Sequence, residues 1–90
     1  MIKKNVIIPN KLGLHARAAS KLVSLASKYE SETQIIISES GVLANCKSIM
    51  GIMMLGAAKG TKITVTASGV DAQSALNSIV GLIENKFGEE

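Results

Sequence analysis

Aromatic side chains are almost missing from this sequence: there is no tryptophan, and Tyr29 and Phe87 are the only two rings of the Phe/Tyr/Trp type. Any core must therefore be packed by aliphatic side chains. The stacking platform used by proteins that grip single-stranded nucleic acid is missing as well. A single cysteine, Cys46, excludes an internal disulfide. The start, Met1-Ile2-Lys3-Lys4-Asn5-Val6, lacks the apolar middle of a secretory signal. Together these point to the cytoplasm. No apolar run approaches the length that spans a bilayer. There is one proline, Pro9, and one histidine, His15. With no second histidine or cysteine cluster and no Walker-type glycine loop, neither a metal nor a cofactor is expected.

What is present suits one small domain over residues 1–90. Apolar residues make up 47% of the chain, which argues against disorder. The net charge of +3 is carried by lysines scattered along the chain. Nucleic-acid binders cluster their basic residues, so this charge suits acidic protein surfaces better.

Periodicity predicts seven elements in the order β-α-β-β-α-β-α. Residues 2–8 read as a strand with Ile2, Val6 and Ile8 on one face. Residues 16–28 read as a helix with Ala19, Leu22, Val23 and Ala26 toward a core. Residues 33–38 are β-branched and extended. Glu39-Ser40-Gly41 is a turn into a short strand over 42–46, where Cys46 is a small hydrophobe. Ser48 is a natural N-cap and Gly56 a natural stop for a short helix. That helix is apolar nearly all round, so part of Ile49, Met50, Ile52, Met53, Met54 and Leu55 must stay exposed as a partner surface. Residues 61–68 alternate, with Ile63, Val65 and Ala67 inward and Lys62, Thr64, Thr66 and Ser68 outward. Asp71 is placed to cap a last helix over 72–87, whose apolar stripe is Ala75, Leu76, Ile79, Val80, Leu82 and Ile83. Gly88-Glu89-Glu90 reads as a frayed tail. The pattern implies an α+β fold in which helices cover one face of an antiparallel or mixed sheet; it does not give the strand order.

The stretch Asn10-Lys11-Leu12-Gly13-Leu14-His15-Ala16-Arg17 lies where the first strand gives way to the first helix. Pro9 ends the strand, and Gly13 lets the backbone turn. His15 falls at the start of a helix, where free N–H groups and a positive partial charge favour an anion, phosphate above all. The same positive end disfavours imidazolium and leaves a neutral ring able to attack. By spacing alone, a polar end residue is the commoner role for such a histidine.

The whole segment resembles the phosphorylated stretch of the HPr family, the histidine-containing phosphocarriers of the bacterial phosphotransferase system. Lys47-Ser48-Ile49-Met50-Gly51, Met53-x-Leu55-Gly56 and Gly69-x-Asp71-Ala72 extend the resemblance over the chain. It implies an open-faced β-sandwich: a four-stranded antiparallel sheet, order 1-4-2-3, with three helices on one face. It also implies that His15 is phosphorylated on Nδ1 by phospho-enzyme I and passes the group to enzyme IIA domains. The backbone of Ala16 and Arg17 and the Arg17 guanidinium would hold the phosphate. Ser48 would be the target of an HPr kinase/phosphorylase; its other reading is the N-cap alone. Leu14, Ala18, Ser20, Lys21, Ile49, Met50 and Met53 would meet the partners. The chain would then be a monomeric carrier, neither an enzyme nor a nucleic-acid binder, and not inserted in a membrane.

Two positions depart from the family pattern. Ala18 stands where proline is usual, and Leu12 where a small polar residue is common. Leucine there also occurs in nitrogen-regulatory paralogues, so the branch stays open between sugar uptake and nitrogen-type regulation. Two rival classes are weaker. An enzyme with His15 as base needs an orienting carboxylate, and no Asp or Glu lies near His15 in sequence. A pure interaction module, or a weak RNA binder, would make no use of His15.

Overall fold

The computed structural model describes residues 1–89. Its elements are β1 (Ile2–Ile7), α1 (Ala16–Ala26), β2 (Glu32–Ile37), β3 (Leu43–Asn45), α2 (Ile49–Met54), β4 (Lys62–Ser68) and α3 (Ala72–Glu84), closed by a 3-10 turn at Lys86–Gly88. The strands form one sheet in the order β1-β4-β2-β3. Every pairing is antiparallel. This is the α+β sandwich, with strand order 1-4-2-3, that the resemblance implies.

Strand alternation decides which side chains meet the helices. Val6 on β1 stands opposite Ile63 on β4, and Ile35 on β2 opposite Val65. These join Leu22 and Ala26 of α1, Ile52 of α2, and Ile79 and Ile83 of α3 in one buried cluster. Each fully buried Leu or Ile contributes roughly 1.5–3 kcal/mol relative to leaving it in water. Cys46 lies in the same cluster. Burial pushes its thiol up to about 11, so it behaves as a small hydrophobe.

Several boundaries and side-chain placements differ from the sequence reading. α1 ends at Ala26 rather than Lys28, because the amides of Lys28 and Tyr29 bond back three residues, to Leu25 and Ala26, and tighten the last turn. Within α1, Ala18 is fully buried and Val23 only partly so; the core stripe is rotated toward Ala18. Thr66, expected outward, is buried. β4 is a central strand, and Lys3 and Gln34 flank Thr66 from either neighbour.

Asp71 sits at the N-cap position of α3 but makes no side-chain cap bond. Its carboxylate instead accepts from the Glu30 amide (3.0 Å), the Ser31 amide (2.9 Å) and the Ser31 hydroxyl (2.5 Å). It thus ties the α1–β2 loop to the start of α3. α3 stops at Glu84 rather than running to residue 87. Lys86 and Phe87 both adopt φ near 55°, which breaks the helix and turns the Phe87 ring into the core. The left-handed conformation costs about 1–2 kcal/mol per residue, and burial of the ring offsets much of it. Among the described residues, no helix is long and apolar enough to cross a membrane.

Candidate functional site

The loop between β1 and α1 is held at both ends. Ile8 exchanges backbone hydrogen bonds with Thr61 (3.0 Å) and Gly60 (2.8 Å). Asn10 is fully buried, and its side-chain amide donates to the Gly13 carbonyl at 2.9 Å. The Gly13 amide donates back to the Asn10 carbonyl at 3.2 Å. Gly13 has φ +62°, and a Cβ there would come within 2.3 Å of the Ala57 carbonyl oxygen. Only glycine fits so close to a second backbone. Next along, the Leu14 amide donates to that same Ala57 carbonyl at 2.9 Å. The loop is therefore docked on residues 57–61 and delivers His15 in a defined place.

His15 is itself the N-cap of α1. Its Nδ1 accepts the Arg17 amide at 3.2 Å, and its carbonyl accepts the Ala19 amide at 2.8 Å. The imidazole thus takes the place that Ser, Thr, Asp or Asn fills in most helices. It sits on the positive end of an 11-residue helix and is half-buried. Arg17 is exposed beside it. An open depression of about 740 Å³ surrounds the ring, with Lys11, Leu12, Arg17 and Lys21 on its walls. Glu89 lines it as well, so three basic side chains and one carboxylate surround the ring.

Sequence reasoning missed the other side of the ring. Glu89, expected in a frayed tail, hydrogen-bonds His15 Nε2 through Oε2. Its Oε1 accepts the Asn10 amide at 2.9 Å. Lys21 Nζ donates to the Phe87 carbonyl at 2.7 Å and fastens the tail to α1. Partial burial pushes the Glu89 carboxyl up. The Asn10 and His15 hydrogen bonds outweigh this, helped by the charges of His15 and Lys21, so it lies below the usual glutamate range. A carboxylate therefore does stand beside His15, seventy-four positions away in sequence. Nothing local in the sequence signals it, because Phe87 reads there as the end of the last helix and the partners of Glu89 lie far away in the chain. Glu90 lies outside the described residues.

The residues expected to meet partners divide into two groups. Ser20, Lys21, Ile49, Met50 and Met53 are exposed. Met50 and its neighbour Met54 are 70% and 80% exposed, so α2 presents an apolar, flexible surface while Ile52 alone anchors it. Leu14 and Ala18 are buried. That corrects the sequence reading: Leu14 packs under the loop and Ala18 on the inner side of α1, so neither side chain is offered to a partner. Ser48 is half-buried and caps α2, its hydroxyl accepting the Gly51 amide at 3.0 Å.

The site is thus a lone histidine that caps a helix at the floor of an open depression. Comparison with known proteins makes the class specific. The family model for the PTS HPr component phosphorylation site matches residues 2–85, and the chain belongs to this family of phosphocarriers. It is 46% identical to the phosphocarrier protein HPr of Xylella fastidiosa strain 9a5c, over 100% of this chain and 99% of that one. It is 43% identical to the phosphocarrier protein NPr of Shewanella violacea, over 98% of this chain and 94% of that one. Among solved structures, HPr from Thermoanaerobacter tengcongensis superposes with a TM-score of 0.93 at 43% identity, covering 100% of this chain and 99% of that one.

Proposed function

We propose that this chain, acting in the cytoplasm as a single monomeric domain, accepts a phosphoryl group on His15 Nδ1 from phospho-enzyme I and passes it to an enzyme IIA. The observation that carries the reading is the N-cap geometry: Nδ1 holds a lone pair, because it accepts the Arg17 amide. In the forward step that lone pair forms the bond to phosphorus. The bond from phosphorus to the donor breaks, and its electron pair returns to the donor. The Arg17 amide, freed from Nδ1, turns to a phosphoryl oxygen, with the Ala16 amide beside it and the Arg17 guanidinium as a charge-assisted partner. In the second step the N–P bond breaks toward the acceptor, and the pair returns to Nδ1. An open cup rather than a closed pocket allows both proteins to reach the same nitrogen.

Ser20, Lys21, Ile49, Met50 and Met53 form the docking surface in this reading. Phosphorylation of Ser48 by an HPr kinase/phosphorylase would place a charge of about −2 at the edge of that surface. The N-cap position tolerates the phosphate, so docking would weaken by repulsion and without refolding. A second reading, a nitrogen-type regulatory role, is favoured by the likeness to NPr and by Leu12, which is 71% exposed beside the site.

The test is intact mass after incubation with enzyme I and phosphoenolpyruvate. Wild type and Ser48→Ala should each gain one acid-labile phosphoryl group, and His15→Ala none. Absence of the gain with an enzyme I that phosphorylates another HPr would overturn the carrier reading. Offering sugar-type and nitrogen-type IIA domains to the phosphorylated protein then separates the two branches.

A further inference from the structure

We propose that Met50, Met53 and Met54 are an oxidative modification site: a peroxide converts their thioethers to sulfoxides, which turns the apolar face of α2 polar and weakens docking while the fold stays intact. The inference rests on the carrier reading above, in which this face meets the proteins that exchange the phosphoryl group.

The sulfur atoms of this chain belong to four methionines and to Cys46. Cys46 is fully buried, and burial pushes its thiol up to about 11, so it supplies almost no thiolate to an oxidant. The methionines are the opposite. Met54 is 80% exposed, Met50 70% and Met53 41%. Three of the four therefore stand in the open on one six-residue helix. The fourth, Met1, is 87% exposed just before β1 and outside the docking face, which makes it an internal control.

The fold does not depend on these three side chains. None of them belongs to the buried core cluster or to the half-buried residues packed against it. α2 is held instead by Ile52 and Leu55, and by the Ser48 hydroxyl on the Gly51 amide (3.0 Å). Met50 and Met54 stand four residues apart on one face of α2, with Ile49 and Met53 four apart beside them. Oxidation therefore changes the surface and leaves its support in place. α2 packs against α1, the helix that His15 caps, so the altered face lies on the neighbour of the reactive helix.

The step is a two-electron oxygen transfer. A sulfur lone pair attacks one oxygen of hydrogen peroxide and the O–O bond breaks. The departing hydroxide takes up a proton and leaves as water. Sulfur is oxidised and the peroxide is reduced. A flexible apolar side chain becomes a polar one with an acceptor oxygen. An apolar face docks on apolar partner atoms, which offer that oxygen no donor, so the complex loses affinity. Methionine sulfoxide reductases return the sulfoxide to the thioether at the expense of a dithiol.

The test uses the full chain as Met1→Leu, so that α2 holds the exposed sulfurs. Hydrogen peroxide is added until peptide mass shows one oxygen on each of Met50, Met53 and Met54. Phosphoryl transfer from phospho-enzyme I is then compared with the untreated sample. The KM for this chain should rise about tenfold, the order of loss when a polar atom is buried without a partner. The thermal melt should barely move, and reductases for both sulfoxide epimers, with dithiothreitol, should restore the KM. The triple variant Met50→Leu/Met53→Leu/Met54→Leu, measured against its own untreated sample whatever its basal rate, should not respond to peroxide. An unchanged KM in the oxidised protein, a lost fold, no recovery with the reductases, or an equal response in the triple variant would each overturn the proposal. So would α2 methionines that stay thioethers while Met1 of wild type oxidises. Failure of the carrier reading is seen before any peroxide is added, as an untreated wild type that takes no phosphoryl group, and it overturns this inference with it.

Discussion

Asp71 carries its charge under a roof of three donors, the Glu30 amide, the Ser31 amide and the Ser31 hydroxyl. The Ser31 hydroxyl first, then the Glu30 amide, hold its carboxyl below the ordinary aspartate value. A carboxylate depressed in the folded state stabilises the fold fully above its unfolded pKa, about 3.9, and loses that contribution as pH falls through the lower folded value. Asp71→Asn should therefore melt below wild type at neutral pH, and the gap should close as the pH falls through the acid range. Thermal melts of the two proteins across that range test it, and a gap that does not change with pH would refute the linkage. At this scale the sequence is a good guide where chemistry is local. His15 was legible because the proline, the glycine and the helix start that place it lie within seven residues of it. Asp71 was legible as a terminal residue but not in its bonds, because its partners lie forty positions away. Glu89 was not legible at all, for the same reason.

The loop that ends in His15 works as an element because it docks on residues 57–61. Gly13 is the point of closest approach, and Gly13→Ala puts a methyl group where the Ala57 carbonyl already stands. The left-handed backbone and the overlap together should destabilise the protein by roughly 2–5 kcal/mol. Urea unfolding checks the loss. The His15 ring resonances should broaden or shift, because the Leu14–Ala57 hydrogen bond that seats the loop is strained with it. A variant as stable as wild type would mean that the loop is free to move off. Element type was readable throughout: β-branched runs became strands and 3.6-residue stripes became helices. Element ends were less so. α1 and α3 stop where backbone bonds or positive φ values intervene, and neither leaves a periodic trace in the side chains.

Across the whole molecule, Phe87 joins the two ends of the chain. It is buried in the common core, and the tail it anchors reaches the β1–α1 loop through Glu89. Phe87→Ala should cost roughly 3–5 kcal/mol in urea unfolding, as buried Phe truncations do. It should also release the tail, so that the His15 ring resonances shift although Glu89 is still present. Retention of the wild-type ring signature would show that Asn10 and Lys21 hold the tail without the ring.

The sequence by itself determined the element types, the aliphatic core, the inertness of the lone cysteine, the exposed methionine helix and the histidine at a helix start. All of these follow from contacts or conformations within about one helical turn or one strand repeat. The resemblance supplied the strand order, which periodicity cannot encode because it records which face a residue points to and not which strand lies beside it. Only the tertiary structure decided which neighbours bury Thr66, which loop Asp71 ties down, and which carboxylate stands behind His15. Each of those depends on residues tens of positions apart being brought within hydrogen-bond or packing distance, and that closeness exists only once the sheet and its helices have packed.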